Sequence, residues 1–329
     1  MGLTSQRVFV IHSRKDPKIP LPERLQQLLE DQKRAWPDLA DGYNALDAVK
    51  TRDIHCDGYS VTLQFNPRRI KSTGARLDEQ SLKARRCFLC VENLPDEQRG
   101  ILYQDDFLVL CNPAPIFQRH FTISHVTHRE QSLEAFPGSF LDLARELSPS
   151  YTVFYNGPKC GASAPDHLHF QACPSNILPI ETLAVDESRR ILKRKENAVS
   201  ISTLNNCGRQ VVVIECTDRK GGEEAIHRLL GAMRKSLHVE AEPMVNVLCS
   251  FNQATWRLIV FPRSKHRPDV YFRQGDDRVL ISPAAVDLGG WIVTPMEKDF
   301  DSVDADMVES IFREVSLNSQ VVDQILEAW

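Results

Sequence analysis

Positions 166 to 171 read Asp-His-Leu-His-Phe-Gln, and the chain enters them through Asn156-Gly-Pro-Lys-Cys-Gly-Ala-Ser-Ala-Pro165. A β-type run over 167–171 would set His167, His169 and Gln171 on one face and turn Leu168 and Phe170 into the core, because side chains alternate along a strand. An unprotonated imidazole is a good nucleophile toward phosphorus and leaves readily from the phosphoramidate it forms. A carboxamide at 171 can hydrogen-bond a phosphoryl oxygen but cannot readily act as an acid or base. The small residues of the approach let backbone N–H groups come close to a bound anion. The bare His-x-His has a second reading, as a pair of metal ligands or a surface accident, and on that pattern alone this reading is the commoner one.

Two further groups of residues carry chemistry. Cys87-Phe-Leu-Cys90 has the spacing with which two thiolates hold one tetrahedral metal from a tight turn. A second Cys-x-x-Cys is missing, so the remaining ligands would be histidines, and His128 and His167 are the natural candidates. His125, in His125-Val-Thr-His128, and His120 are the alternatives, and the other reading is a pair of ordinary cysteines beside a strand. Residues 66–86 contain seven Lys or Arg against two acids. There Arg68, Arg69 and Lys71, with Ser72, Thr73 and Gly74, suit a polyanionic partner, since guanidinium forks take phosphate oxygens in pairs. Arg263 and Lys265 sit in a basic turn after a strand-type run and are further candidate phosphate contacts. Each basic run also reads as a solvated face, and His266 reads as a surface residue.

Periodicity supplies the elements that must position these groups. Residues 22–36 space Leu25, Leu28, Leu29 and Trp36 at helical intervals between Pro22 and Pro37. Short β-type runs follow at 59–65, 107–111, 120–124, 152–156 and 167–171, broken by a helix near 139–147. The charged stretch 181–198 reads as a helix. Strand-type runs resume at 211–216, 246–251, 257–261, 278–282 and 290–294, with helices at 223–236 and from 305 to 329. Strands clustered with few intervening helices predict an α+β fold of antiparallel sheets with helices packed outside. Both halves run strands, helix, strands, which suits an internal duplication without a residue-level repeat.

Bulk properties narrow the function classes. The 329 residues, 42% hydrophobic, can bury one large core or two domains of about 150 residues, and we divide the chain into 1–195 and 196–329. A net charge of −4 argues against a general affinity for nucleic acid. No stretch approaches the ~20 apolar residues of a membrane span, and the opening lacks a long apolar core, so the expectation is a cytoplasmic protein without membrane partners. Met1 to Gln6 fit a myristoylation pattern that is too short to carry weight. Nine cysteines, an odd number, read as reduced thiols.

The segment Tyr155-Asn156-Gly157, Gly161-Ala-Ser163-Ala-Pro165-Asp166-His167-Leu168-His169-Phe170-Gln171 resembles the active-site motif of the histidine-triad superfamily. Its Gln ending is similar to the transferase branch, which holds galactose-1-phosphate uridylyltransferase, diadenosine tetraphosphate phosphorylase and the GDP-hexose phosphorylases. The resemblance reverses the reading of His-x-His and implies two histidine-triad-like halves, the C-terminal one completing the substrate site. It implies that His169 is the nucleophile that forms a covalent nucleotidyl-histidine and that Gln171 contacts the α-phosphate. Gly161 and Ser163 belong to the phosphate-binding loop, which Asn156 helps to fix. Similarity to the uridylyltransferases implies a structural zinc on Cys87, Cys90, His128 and His167, which would fix the strand carrying His169 rather than do chemistry. A basic loop ahead of the motif, here with Arg68, Arg69 and Lys71, and a "strand then Pro-Arg" segment, here with Arg263 and Lys265, are implied substrate contacts. The implied reaction moves a nucleotidyl group from a nucleoside diphosphate sugar or dinucleoside polyphosphate to inorganic phosphate or a sugar phosphate. A hydrolase on the same scaffold and a non-enzymatic nucleotide-binding module are the rival readings, and a homodimer is the assembly considered beside the monomer.

Overall fold

A computed structural model describes residues 5–13, 19–74 and 79–329, with only the backbone at Ser5, Lys71, Ser72, Glu79 and Lys83. Arg76 and the start of the myristoylation-like pattern lie outside the described residues. Runs rich in Val, Ile and aromatic residues form strands. The strands are β1 (Val8–His12), β2 (Lys50–Cys56), β3 (Tyr59–Phe65), β4 (Gly100–Tyr103), β5 (Phe107–Cys111), β6 (Phe121–His125), β7 (Tyr151–Asn156) and β8 (His169–Pro174). They continue with β9 (Arg190–Glu196), β10 (Val199–Leu204), β11 (Val212–Cys216), β12 (Val245–Asn252), β13 (Thr255–Pro262) and β14 (Trp291–Thr294).

One sheet runs β1-β4-β5-β6-β8-β7-β12-β13-β11-β10-β9, antiparallel throughout except where β1 lies parallel to β4. The smaller sheet β14-β3-β2 joins distant parts of the sequence, with β14 parallel to β3. Within the large sheet the set β4-β5-β6-β8-β7 and the set β9-β10-β11-β13-β12 have the same internal order, and each carries a helix before its fourth strand, Pro137–Glu146 and Arg219–Leu237. The two sets meet where β7 pairs with β12, with Asn156 opposite Asn246. The duplication is therefore topological. The sets differ where it matters: residues 157–168 loop out between β7 and β8, whereas β12 and β13 are joined through Gln253 and Ala254, both in left-handed conformation (φ 47° and 60°).

Both faces of the sheet are buried. Along β7, Val153 and Tyr155 join a core covered by helices Leu21–Ala35, Pro137–Glu146, Arg219–Leu237 and Ser319–Glu327, while Phe154 joins the opposite core under β3, β14 and helix Ala305–Val315. Alternation at period two places these residues on opposite faces.

Several sequence expectations change. The stretch 181–198 is not one helix: Pro179–Val185 is helical, and β9 then pairs with β10 through a turn at Asn197 (φ 47°). A charged edge strand resists further pairing, which explains a strand that looks too polar to be one. The division at residue 195 falls inside β9, whose only ladder partner among the described residues is β10. Residues 278–282 form no strand; the Leu280 N–H donates to the Asp299 carboxylate at 2.7 Å instead of to a ladder. The last helix breaks in two because Leu317 N–H donates to Pro262 O at 3.0 Å and Asn318 caps a new helix, accepting from Val321 N–H at 2.9 Å.

Candidate active site and metal centre

β8 begins at His169, so His167 lies in the turn before it and the two imidazoles part company. Leu168 N–H donates to Arg129 O at 2.6 Å and His167 N–H to Ala164 O at 3.1 Å, which holds the backbone in that turn. The expected single face is kept only by His169 and Gln171. Leu168 and Phe170 do enter the core.

His169 and Gln171 open on a cleft of about 700 Å³, a volume suited to a ligand the size of a nucleotide. Its walls come from both halves of the chain: Asn112, Phe154, Asn156, Gly161 and Ser163 on one side, and His266, Arg267, Ser282, Ala284 and Asp287, from the segment between β13 and β14, on the other. Nδ1 of His169 lies 2.8 Å from the His167 carbonyl. A carbonyl only accepts, so Nδ1 carries the proton and Nε2 keeps its lone pair, with no protein partner among the described residues. Burial pushes the ring's pKa down to about 4, so the imidazole is neutral at pH 7.

The backbone around His169 is held by a residue that sequence reading missed. Gln131 is buried, accepts His169 N–H at 2.8 Å, and donates to the carbonyls of His169 (3.0 Å) and Asn156 (2.9 Å). A glutamine in a loop carries no sequence signal for this. His120, by sequence an alternative metal ligand, instead sits 2.9 Å from the Gln171 side-chain oxygen. His266, expected on the surface, lines the cleft, and burial pushes its pKa down to about 3. Arg85, which also lines the cleft, bonds Asp166 at 2.7 Å and leaves Nη1 buried without a partner.

Of the remaining expected substrate contacts, Gly161 (φ 109°) and Ser163 line the cleft. A Cβ at 161 would stand 2.6 Å from the Ala284 side chain, so glycine is what lets the loop close against the segment that follows β13. Asn156 also lines it, but its side-chain oxygen is engaged by Asn246 Nδ2 and Ala285 N–H, both at 2.8 Å, which fastens the two sets together. Arg69 lines the cleft and donates to Ala114 O at 2.8 Å. Arg68 is exposed and outside the cleft lining, and the Lys71 side chain lies outside the described residues. Arg263 is a correction: it is buried and its guanidinium is spent on Asn246 and on the carbonyls of Pro283, Val315, Lys265 and His266. Lys265 is likewise withdrawn from the cleft by ion pairs to Asp269 and Glu314.

The thiols of Cys87 and Cys90 and the ring nitrogens of His128 and His167 lie within 4.8 Å of one another. Tetrahedral zinc, with ligand bonds of about 2.0–2.3 Å, needs donor separations of roughly 3.5 Å. Here Cys87 Sγ is 3.3 Å and Cys90 Sγ 3.6 Å from His167 Nδ1, and Cys90 Sγ is 3.2 Å from His128 Nδ1. His167 Nε2–H donates to His125 O at 2.7 Å, which fixes the tautomer that leaves Nδ1 free for a metal. The donor set fits a metal such as zinc. His125 and His120 lie outside this cluster: His125 Nδ1 is engaged by the Thr127 backbone, and His120 faces Gln171.

The doubled strand order that carries the neutral histidine, the glutamine and the glycine-bearing loop is a fold the chain shares with solved structures of an Ap4A phosphorylase. More particularly, residues 182–327 match a family model described as "GDPGP1-like, C-terminal domain", and residues 28–174 match a "Domain of unknown function (DUF4922)". The yeast Ap4A phosphorylase Apa2 in complex with AMP is similar at a TM-score of 0.57 and 16% identity, covering 89% of this chain and 96% of that one. The same yeast enzyme in complex with Ap4A gives 0.56 and 15%, over 89% and 97%. No curated protein matches the sequence. No described helix is long and apolar enough to cross a membrane.

Proposed function

We propose that the protein is a nucleotidyltransferase of the phosphorylase type, acting on a nucleoside diphosphate sugar or dinucleoside polyphosphate. The observation that carries this reading is His169, neutral, with Nδ1–H held by its own chain and the Nε2 lone pair free in a nucleotide-sized cleft beside Gln171. In the first step Nε2 forms a bond to the α-phosphorus, and the bridging P–O bond breaks with its electron pair leaving on the sugar phosphate or nucleotide. In the second step an oxygen of phosphate or a sugar phosphate attacks the same phosphorus, and the N–P bond returns its pair to His169. Two inversions give retention. Gln171 and Ser163, with backbone N–H groups of the loop, stabilise the charge on the equatorial oxygens, and Arg69, Arg85 and Arg267 line the cleft as cations for the remaining phosphates.

Cys87, Cys90, His128 and His167 would hold a zinc ion, whose chemistry here is structural: it ties the 87–90 turn to the approach of β8. The fold shared with the yeast Ap4A phosphorylase supports the phosphorylase reading, and Gln171 in place of a third histidine favours transfer over hydrolysis. The protein quenched with diadenosine tetraphosphate, UDP-glucose or GDP-glucose is expected to carry an acid-labile nucleotidyl adduct by mass spectrometry, and turnover to depend on added phosphate. His169→Gly is expected to abolish the adduct and transfer while leaving nucleotide affinity within a few fold. Absence of an adduct with every donor, or turnover indifferent to phosphate, would overturn this reading.

A further inference from the structure

His120 precedes β6 and is buried, with its backbone carbonyl accepting from Tyr43 Oη at 2.8 Å and Asn112 N–H at 3.0 Å. Its ring has two close partners, while Asn112 Nδ2, which donates to Thr122 Oγ1 at 3.3 Å, stands farther off at 3.5 Å from Nε2. Nδ1 receives the backbone N–H of Ile116 at 3.2 Å. A backbone amide can only donate, so Nδ1 holds the lone pair, and in the neutral ring Nε2 must carry the hydrogen. Burial, with the nearby charge of Arg69, pushes this ring's pKa down to about 3, which keeps it neutral. Nε2 lies 2.9 Å from the side chain of Gln171, and because it is a donor, the end of the carboxamide that faces it is the oxygen.

That polarity decides what Gln171 offers to a ligand. A carboxamide has one accepting and one donating end, and the wrong end would set a carbonyl oxygen against a phosphoryl oxygen. We propose that His120 is a positioning residue: the relay Ile116 N–H to Nδ1, and Nε2–H to Gln171 Oε1, locks the Gln171 amide with its NH2 group toward the α-phosphate. The proposal rests on the nucleotidyl-transfer reading and deepens it. Gln171 then enters the reaction as an oriented donor, without having to reorganise as charge develops on the phosphoryl oxygens.

A double-mutant cycle on His120 and Gln171 tests it, with the donor among diadenosine tetraphosphate, UDP-glucose and GDP-glucose that turns over. His120→Leu is expected to lower kcat by roughly 100-fold with little change in KM, as for loss of one oriented oxyanion donor. His120→Gln, whose terminal NH2 reaches the Nε2 position, should restore kcat to within roughly tenfold of wild type. In a Gln171→Ala background, His120→Leu should cost nothing further in kcat. Additive losses, or His120→Gln as impaired as His120→Leu, would overturn the relay while an adduct on His169 leaves the transfer reading standing. If no donor yields an adduct, the reading falls and the proposal with it. Should His120→Leu fail to fold, the wild-type protein labelled with 15N-histidine answers the question. Long-range proton–nitrogen spectra are expected to show His120 protonated at Nε2 alone from pH 8 to pH 5, and an Nδ1–H tautomer would refute the relay.

Discussion

At the scale of single residues, the arrangement around His169 depends on side chains that satisfy backbone groups where the ladder stops. Gln131 bonds three such groups at once, and each would otherwise be a buried polar atom without a partner. Gln131→Ala is therefore expected to cost about 2–4 kcal/mol in urea unfolding, with kcat falling as His169 loses its fixed backbone. Arg85 presents the opposite case, a cation on the cleft wall with one nitrogen uncommitted. Arg85→Ala should raise KM for phosphate-bearing donors by roughly tenfold, about 1.4 kcal/mol, and leave the affinity for a nucleoside without phosphate unchanged, both read by titration calorimetry and initial rates. Neither residue belongs to a recognisable motif. His169 and Gln171 were legible because the spacing of an entire loop and strand carries them.

At the scale of elements, the knuckle at 87–90 and the turn at 165–168 form one unit through His167. Cys90→Ser should remove bound metal from about one equivalent per chain toward zero by elemental analysis, and lower Tm by several degrees. Chelation of the wild-type protein should do the same, reversibly on adding zinc. Strand runs such as 59–65 and 107–111 were readable to the residue because both faces are apolar or alternate cleanly. The polar β9 was not, since an edge strand is selected for charge and its pattern is that of a solvated helix. The run 278–282 failed for the converse reason: its apolar residues are buried by neighbouring loops, with the Asp299 carboxylate supplying the hydrogen bond a ladder would have given.

For the molecule as a whole, the cleft is walled by the 157–168 loop and the segment between β13 and β14, brought together by the joining of the two strand sets at β7 and β12. It also buries neutral histidines. His120 and His266 both have pKa values pushed down to about 3 by burial, against about 6.5 when unfolded. Between those values the unfolded chain binds more protons, so stability is full above pH 6.5 and falls as pH drops toward 3. Urea unfolding should show a slope reaching roughly 1.4 kcal/mol per pH unit for each such histidine between pH 5.5 and 4, and replacing His266 with Asn should flatten it by one histidine's share.

The sequence by itself determined which candidate groups are present: an imidazole at 169, an amide two residues on, a loop of small residues, and a cysteine pair followed by histidines. It determined these because they depend on residue type and short spacing. Tertiary structure decided which groups meet. It separated His167 from His169 by starting β8 two residues later, chose His128 over His125, spent Arg263 on carbonyls and Lys265 on carboxylates, and brought His266, Arg85 and Arg267 to the cleft. Whether a polar side chain faces a ligand or satisfies a buried backbone group depends on which orphaned donors and acceptors lie within 3 Å or so of it, and that is settled by distant segments packing together.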